Sequence, residues 1–252
     1  MPDARYIRQE IFEPIGARGQ SLIMAASVVV IGCGALGSHI ASCLARAGVG
    51  RLRIVDRDVV ELDNLQRQLL FDEEDARQGR PKATAAVERL RRVNSTIALE
   101  ARQCDVTPAN VAELVSGFDV VMDGTDNVET RVSLNDACLG GHIPCVFGGA
   151  VGATGLVFPI VPGRTPCYRC LMAELPPRGA TPTAATAGIL HSTVAVVAAL
   201  QCTICLRLLL GDFEGGDEAL CVDVWDAELT RVRIPRRAQC PACGPSGSAE
   251  SV

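Results

Sequence analysis

Basic runs are missing from this chain, and aromatics are scarce: only 4% of its residues are Phe, Trp or Tyr. A nucleic-acid partner, which is held by clustered Lys and Arg with interleaved aromatic rings, is therefore not expected. The first ten residues, MPDARYIRQE, hold no apolar stretch. No secretory signal is expected, and the chain reads as cytoplasmic. A membrane-spanning helix needs ~20 predominantly apolar residues. The segment nearest to that, 188–211, is interrupted by His191, Gln201 and Arg207 and is rich in small residues. It reads as a core or subunit-interface helix, with no membrane partner. No internal repeat is present.

What the chain does have is apolar bulk and cysteine. Of its 252 residues 48% are hydrophobic, enough for a large core, and an α/β chain of this length can form one unit. The formal net charge is −5. Twelve cysteines is a high count. Without a secretory signal they argue for thiols or metal rather than disulfides. Cys33, Cys43, Cys104, Cys138, Cys145, Cys202, Cys205 and Cys221 sit in apolar stretches and read mostly as small buried hydrophobes. Cys202 and Cys205 have CxxC spacing but lie inside the apolar helix, which favours packing over redox or metal chemistry.

Short apolar runs alternate with amphipathic stretches. Helices are expected over 5–26 (an N-terminal arm), 38–47, 80–93, 108–115 and 129–139, and strands over 27–31, 51–56, 97–102, 119–123 and 143–147. Such alternation predicts right-handed βαβ units, hence an α/β, Rossmann-like fold with a mostly parallel sheet and helices on both faces. From about 148 glycine and proline multiply, and 155–161 and 220–226 read as strands of an antiparallel C-terminal extension. Residues 163–187 form a long Gly/Pro/Thr/Ala crossover loop. A loop of that length is usually functional or mobile. The tail, 244–252, reads as disordered.

Gly32-x-Gly34-x-x-Gly37 follows an expected strand and opens an expected helix. Glycines placed so permit a tight turn and close approach of a phosphate to the helix N-terminus. Asp56 lies 19 residues after Gly37, at the next strand end, where a carboxylate can bind ribose hydroxyls. A packing cluster of glycines would need no such partner. The pattern predicts a nucleotide site without separating NAD from ATP. Asp58, Asn64, Arg67, Gln68 and Lys82 follow closely. Hydride transfer has no need for that concentration. Cleavage of ATP between its α- and β-phosphates does, because charge builds on the leaving pyrophosphate and is stabilised by fixed cations and Mg²⁺. Taken singly, Arg67 or Lys82 would read as a solvated surface charge. The strand-end sequence Asp123-Gly124-Thr125-Asp126-Asn127 adds a carboxylate suited to Mg²⁺. Asp126 is the favoured ligand and Asp123 the alternative.

Cys167-Tyr168-Arg169-Cys170 and Cys240-Pro241-Ala242-Cys243 are separated by 69 residues. Each pair offers two thiolates at a spacing suited to tetrahedral Zn²⁺, and two such pairs imply a closed, structural site tying the crossover loop to the C-terminal region. Four unrelated thiols or a redox pair are the competing readings. The second pair lacks the strand-to-helix setting of a thioredoxin site.

In combination these residues resemble the ThiF/MoeB-type (HesA/MoeB/ThiF) adenylyltransferase family, the bacterial relatives of ubiquitin-activating E1 proteins. The resemblance runs from Arg5 to Cys243. It is carried by Arg5-Tyr6-Ile7-Arg8-Gln9, the glycine loop, Asp56-Arg57-Asp58, Asn64-Leu65-Gln66-Arg67-Gln68, Lys82, Thr125-Asp126-Asn127 and the paired cysteines. It implies one E1-like adenylation domain over 1–243, with a nucleotide-binding half, 5–147, and a carrier-binding and zinc half, 148–243. Gly32, Gly34, Ala35 and Gly37 would cradle ATP. Asp56 would hold the ribose, and Asp58, Asn64, Gln68 and Asn127 would complete the pocket. Arg67 and Lys82 would hold phosphates, and Asp126 would hold Mg²⁺. Arg8 would reach into the neighbouring subunit's site, so that a homodimer is required. Cys167, Cys170, Cys240 and Cys243 would bind structural zinc. The substrate would be the C-terminal glycine carboxylate of a small ubiquitin-like carrier protein ending in Gly-Gly. The product would be an acyl-adenylate, primed for sulfur transfer from an external donor.

Two departures stand out. Relatives often carry a reactive cysteine four residues before a Gly-Val-Leu/Met segment in the crossover loop. Here that segment is Gly188-Ile189-Leu190 and the position holds Ala184, among Thr181, Thr183 and Thr186. A covalent enzyme–carrier intermediate at that place is not expected. Ala35 stands where glycine is commoner, a change of one methyl. Two other functions are weighed. An NAD-dependent oxidoreductase would leave Arg67, Lys82, Asp126 and the paired cysteines without a role. A non-catalytic E1-like scaffold subunit would not need Arg8, Arg67, Lys82 and Asp126.

Overall fold

The computed structural model describes residues 4–177, 180 and 182–244. Its centre is β1 (Ser27–Ile31), whose β-branched run Val28–Ile31 is fully buried. A strand covered on both faces shows no polar alternation. Around it lie β2 (Arg51–Val55), β3 (Ala98–Arg102), β4 (Val120–Asp123), β5 (Cys145–Val151), β6 (Thr154–Ile160), β7 (Glu218–Asp223) and β8 (Glu228–Arg233). They form one eight-stranded sheet in the order β3-β2-β1-β4-β5-β6-β7-β8. Pairing is parallel from β3 through β5 and antiparallel from β5 through β8.

The chain winds outward from β1 to β3 and then returns to β4 on the other side. The strand order therefore reverses between β1 and β4, and the crevice beyond the carboxyl ends of those two strands is where an open α/β sheet takes its ligand. The backbones draw close there. A Cβ on Gly32 would sit 2.8 Å from the Gly124 carbonyl carbon and oxygen, and Gly32 adopts φ +86°. Only glycine suits both conditions.

The described residues contain ten helices: α1 (Ile7–Glu10), α2 (Gly16–Ala25), α3 (Ala35–Ala47), α4 (Glu73–Gln78), α5 (Lys82–Val93), α6 (Val111–Val115), α7 (Val128–Gly140), α8 (Tyr168–Leu171), α9 (Ala184–Ala187) and α10 (His191–Leu210). Successive side chains of β1 point to opposite faces. Val28 and Val30 join Ile40, Leu44, Leu90, Val194 and Val197 in one core, under α3, α5 and α10. Val29 and Ile31 join Val111, Leu134, Phe147, Phe158 and the paired cysteines in the other, under α6, α7 and α8. Each fully buried Leu, Ile or Val stabilises the fold by ~1.5–3 kcal/mol relative to exposure.

Helix α10 is the one helix among the described residues long and apolar enough to cross a membrane, with mean hydropathy 2.1. Val194, Val197, Ala198, Cys202 and Cys205 are nevertheless packed in the first core. Gln201, the polar interruption, is buried and donates to the carbonyls of Asp123 (2.9 Å) and Val146 (3.1 Å). It ties α10 to the ends of the central strands.

Several expected bounds change. The arm over 5–26 is two helices, broken before Gly16, which has φ +59°. The helix expected over 108–115 is only α6. The strand expected over 143–147 starts later and runs on to Val151, pairing with β6 through a turn at Gly152, which has φ +59°. The strand expected over 220–226 is β7, and the chain then turns back into β8, an exposed edge strand that the sequence reading does not contain. The long crossover loop contains α8 and α9. Thr181 and the tail beyond Gly244 lie outside the described residues.

Candidate active site

A cavity of about 960 Å³ opens at the carboxyl ends of β1, β2, β4 and β5. Gly32, Gly34 and Ala35 form one wall, and Asp56, Asp58, Asn64, Arg67, Gln68, Lys82, Asp126 and Asn127 all line it. The structure thus brings together nearly every residue expected at the nucleotide site. Two expected residues lie elsewhere. Gly37 packs instead of lining: a Cβ there would sit 1.8 Å from the Gly32 carbonyl oxygen. Arg8 is exposed on α1 and is not part of this cavity.

Gly34 shows the converse of Gly37. A Cβ on Gly34 would meet nothing closer than the Gln68 side-chain nitrogen at 3.9 Å. The space beside the loop is therefore open to a ligand. Gln68 is buried, and its Oε1 has no hydrogen-bond partner. Buried polar atoms are nearly always paired, so an orphan on a cavity wall marks a place for a bound group. Glycine room, the N-terminus of α3 and a cationic wall together suit a nucleotide phosphate chain.

Asp56 directly follows β2 and accepts hydrogen bonds from the backbone N–H groups of Cys33 (2.5 Å) and Asp58 (2.7 Å). It thereby fixes the glycine loop as well as facing the cavity. Burial raises its pKa above the ordinary carboxylate value, against the pull of those N–H groups and of Lys82. Lys82 begins α5 behind Pro81 and is itself buried. Its Nζ lies 3.7 Å from an Asp58 carboxylate oxygen, and its N–H donates to the Asp58 carbonyl at 3.0 Å. Arg67 follows the short 3-10 turn Leu62–Asn64, and its guanidinium donates to the Asp63 carbonyl at 2.8 Å.

The aspartate that ends β4 and the one that follows it differ. Asp123 is fully buried, accepts from the Thr125 N–H (2.9 Å) and hydroxyl (2.6 Å), and pairs with Arg131 Nε at 2.9 Å. Asp126 is exposed and lines the cavity. A carboxylate facing solvent and cavity is the one available to a cation.

Arg131, absent from the sequence reading, also lines the cavity. Beyond Asp123, it donates to the carbonyls of Thr125 and Gly148, each at 2.6 Å. Burial lowers its pKa, but Asp123 and Tyr168 outweigh this and hold the guanidinium charged. The available signal was a cation in the first turns of α7, where the helix dipole opposes it. Such a placement asks for a local reason. Cys104 and Cys221 also line the cavity, so neither is the plain buried hydrophobe expected of it; Cys43 is exposed.

Outside the cavity, the Sγ atoms of Cys167, Cys170, Cys240 and Cys243 all lie within 4.8 Å of one another. Cys167 to Cys240 and Cys170 to Cys243 are each 3.5 Å, and Cys167 to Cys170 is 4.0 Å. Four sulfurs around tetrahedral zinc at ~2.3 Å would stand about 3.8 Å apart. The cluster could hold such an ion. Burial raises the Cys240 thiol, but the N–H groups of Cys243 and Ala242 outweigh this and bring it down to about 7. Burial pushes the Cys167 and Cys243 thiols up, so without a metal Cys240 alone among these three is biased toward the thiolate.

A nucleotide cavity at the switch point, lined by Arg67, Lys82 and Arg131 and by a strand-end aspartate, with a four-cysteine cluster nearby in the chain's second core, fits what the ThiF/MoeB resemblance implied. The ThiF family profile matches residues 6–242, and the chain belongs to that family. It is similar to the sulfur carrier protein ThiS adenylyltransferase of Bacillus subtilis (strain 168), at 45% identity over 95% of this chain and 71% of that protein. It is 39% identical to the SAMP-activating enzyme E1 of Haloferax volcanii, over 96% of this chain and 89% of that protein. Among solved structures, E. coli MccB with ATP superposes with a TM-score of 0.82 at 22% identity, over 96% of this chain and 75% of that one. This last likeness concerns the fold alone.

Proposed function

We propose that this chain is an ATP-dependent adenylyltransferase that activates the C-terminal glycine carboxylate of a small ubiquitin-like sulfur-carrier protein. The observation that carries the reading is the convergence of Arg67, Lys82 and Asp126 on one cavity with the glycine loop and Asp56. The similarity to the sulfur carrier protein ThiS adenylyltransferase and to the SAMP-activating enzyme E1 supports it.

In this reading Asp56 binds the ribose and the Gly32–Ala35 loop faces the phosphates, with Asp58, Asn64, Gln68 and Asn127 completing the pocket. A carboxylate oxygen of the carrier bonds to the α-phosphorus. The bond from that phosphorus to the bridging oxygen breaks, and its electron pair leaves on pyrophosphate. Arg67 and Lys82 stabilise the charge that develops, and such preorganised donors act where charge builds. Asp126 would hold Mg²⁺, which would supply further neutralisation of the phosphates. The four paired cysteines would hold zinc in a structural role.

The chain would act as one unit, with 5–147 serving the nucleotide and 148–243 the carrier. It would work in the cytoplasm as a homodimer in which Arg8 completes the partner's site. Ala184 lines the cavity where relatives often carry a thiol. The adenylate is therefore consumed directly by an external nucleophile, most simply a persulfide or sulfide. The test is mass spectrometry of a Gly-Gly-ended carrier after incubation with enzyme, ATP and Mg²⁺. A gain of one AMP, without a thiol-labile enzyme–carrier adduct, is expected. An unmodified carrier refutes the adenylation, and an adduct on Cys221 or any other cysteine refutes direct transfer.

A further inference from the structure

The cavity extends from the glycine loop over strands β5 to β8, and that part has a regular floor. Cross-strand pairing places Gly149 on β5, Leu156 on β6, Cys221 on β7 and Thr230 on β8 in one row. All four line the cavity. Adjacent strands are spaced ~4.8 Å apart, so this row is about 14 Å long, the reach of about four extended residues. It is a track that ends at Gly149, and over Gly149 stands Arg131. A Cβ built on Gly149 would lie 3.7 Å from Arg131 Nη1 and 3.9 Å from Nη2, so the glycine leaves space directly beneath the guanidinium.

The Arg131 donors can be counted. Nε is spent on Asp123, and both Nη2 hydrogens are taken by Thr125 and Gly148. Tyr168 is a further partner and can take one Nη1 hydrogen. At least one N–H of Nη1 remains, on a side chain only 17% exposed and held by four groups. A fixed guanidinium at the end of an extended track, beside the strand-end loop that carries Asp126, is placed to receive an anionic chain end. Arginine is suited to that task because its planar fork matches a carboxylate.

Building on the adenylation reading, we propose that Arg131 binds the carrier's terminal carboxylate. The carrier's last residues lie across the β5–β8 floor, and the carboxylate rests between Gly149 and Nη1. Asp123 and Tyr168 are positioning residues that keep the fork aimed. Gly149 is required because a methyl there would fill the seat.

The experiment is calorimetric binding of two forms of ThiS, one with its free C-terminal carboxylate and one with a C-terminal carboxamide. The wild type, Arg131→Lys and Gly149→Ala are compared. Wild type should prefer the carboxylate by about tenfold or more, the worth of a charge-assisted hydrogen bond. Arg131→Lys keeps the charge but loses the fork. Gly149→Ala meets its neighbours at ordinary contact distance and leaves the guanidinium in place. Gly149→Ala should bind the two forms equally with ATP affinity unchanged, and Arg131→Lys should keep only a reduced preference for the carboxylate. If Arg131→Lys does not fold, Gly149→Ala decides alone. A wild-type preference that survives undiminished in the variants, or no preference in the wild type, overturns the assignment. Carrier-dependent pyrophosphate exchange by the same wild-type protein shows that adenylation stands when the Arg131 assignment falls. Binding of neither form, with no exchange, overturns both.

Discussion

At the scale of single residues, the site is a set of charges held in place by their neighbours. Asp56 is fixed by two backbone N–H groups, and Lys82 by burial and by Asp58. Arg67→Ala and Lys82→Ala should each lower pyrophosphate exchange ~10²–10³-fold, the usual loss for one preorganised donor. Unchanged circular dichroism and thermal midpoints would show that the fold is intact; near-normal exchange in either variant would remove that residue from the reaction. Single residues were unequally legible. The glycines, Asp56, Arg67, Lys82 and Asp126 were readable because each belongs to a local string with a fixed offset. Which of Asp123 and Asp126 faces the cavity depended on Arg131, one helical turn further on. Its role rests on the β5 carbonyl of Gly148 and on Tyr168, contacts distant in sequence. Cys221 was hidden likewise, since only the β6–β7–β8 register turns its side chain to the cavity.

At the scale of elements, the junction of β1 with α3 does two jobs with two glycines. Gly37→Ala would drive a methyl into the Gly32 carbonyl, which must move, whereas Gly34→Ala meets open space. Gly37→Ala should therefore lower the thermal midpoint, by an overpacking cost of ~1–3 kcal/mol or more. Gly34→Ala should keep the midpoint and lose ATP affinity. Thermal scans with and without ATP distinguish the two, and equal midpoints would contradict the division of labour. The α8 knuckle makes a second element-scale claim. About one zinc per chain should be found by elemental analysis, and Cys170→Ser should lose it and melt earlier. A zinc-free native protein, or a disulfide between these residues, would refute the assignment. The strong βαβ elements were legible because buried parallel strands are short β-branched runs. Strand β8 was not, since all six of its residues are exposed and none announces a core face.

At the scale of the whole molecule, one sheet joins a nucleotide end to a long floor, and Arg8 stands apart from both. The arm that carries it is anchored, since Tyr6 is buried and accepts a hydrogen bond from Asn94 at 2.7 Å, and Gln9 donates to the Ala47 carbonyl at 3.0 Å. Anchors so firm beside an exposed arginine suit a group presented to another copy. Mixing inactive Arg8→Ala with inactive Asp126→Ala should restore part of the activity, because hybrid dimers hold one intact site. No recovery despite verified subunit exchange would exclude a shared site. The central claim, that this cavity joins a carrier carboxylate to AMP, is tested most directly by exchange of radiolabelled pyrophosphate into ATP. Label should enter ATP only when Mg²⁺ and a carrier with a free Gly-Gly carboxylate are both present, and a carboxamide-ended carrier should give none. No exchange with any Gly-Gly-ended carrier, or exchange indifferent to the free carboxylate, would contradict it.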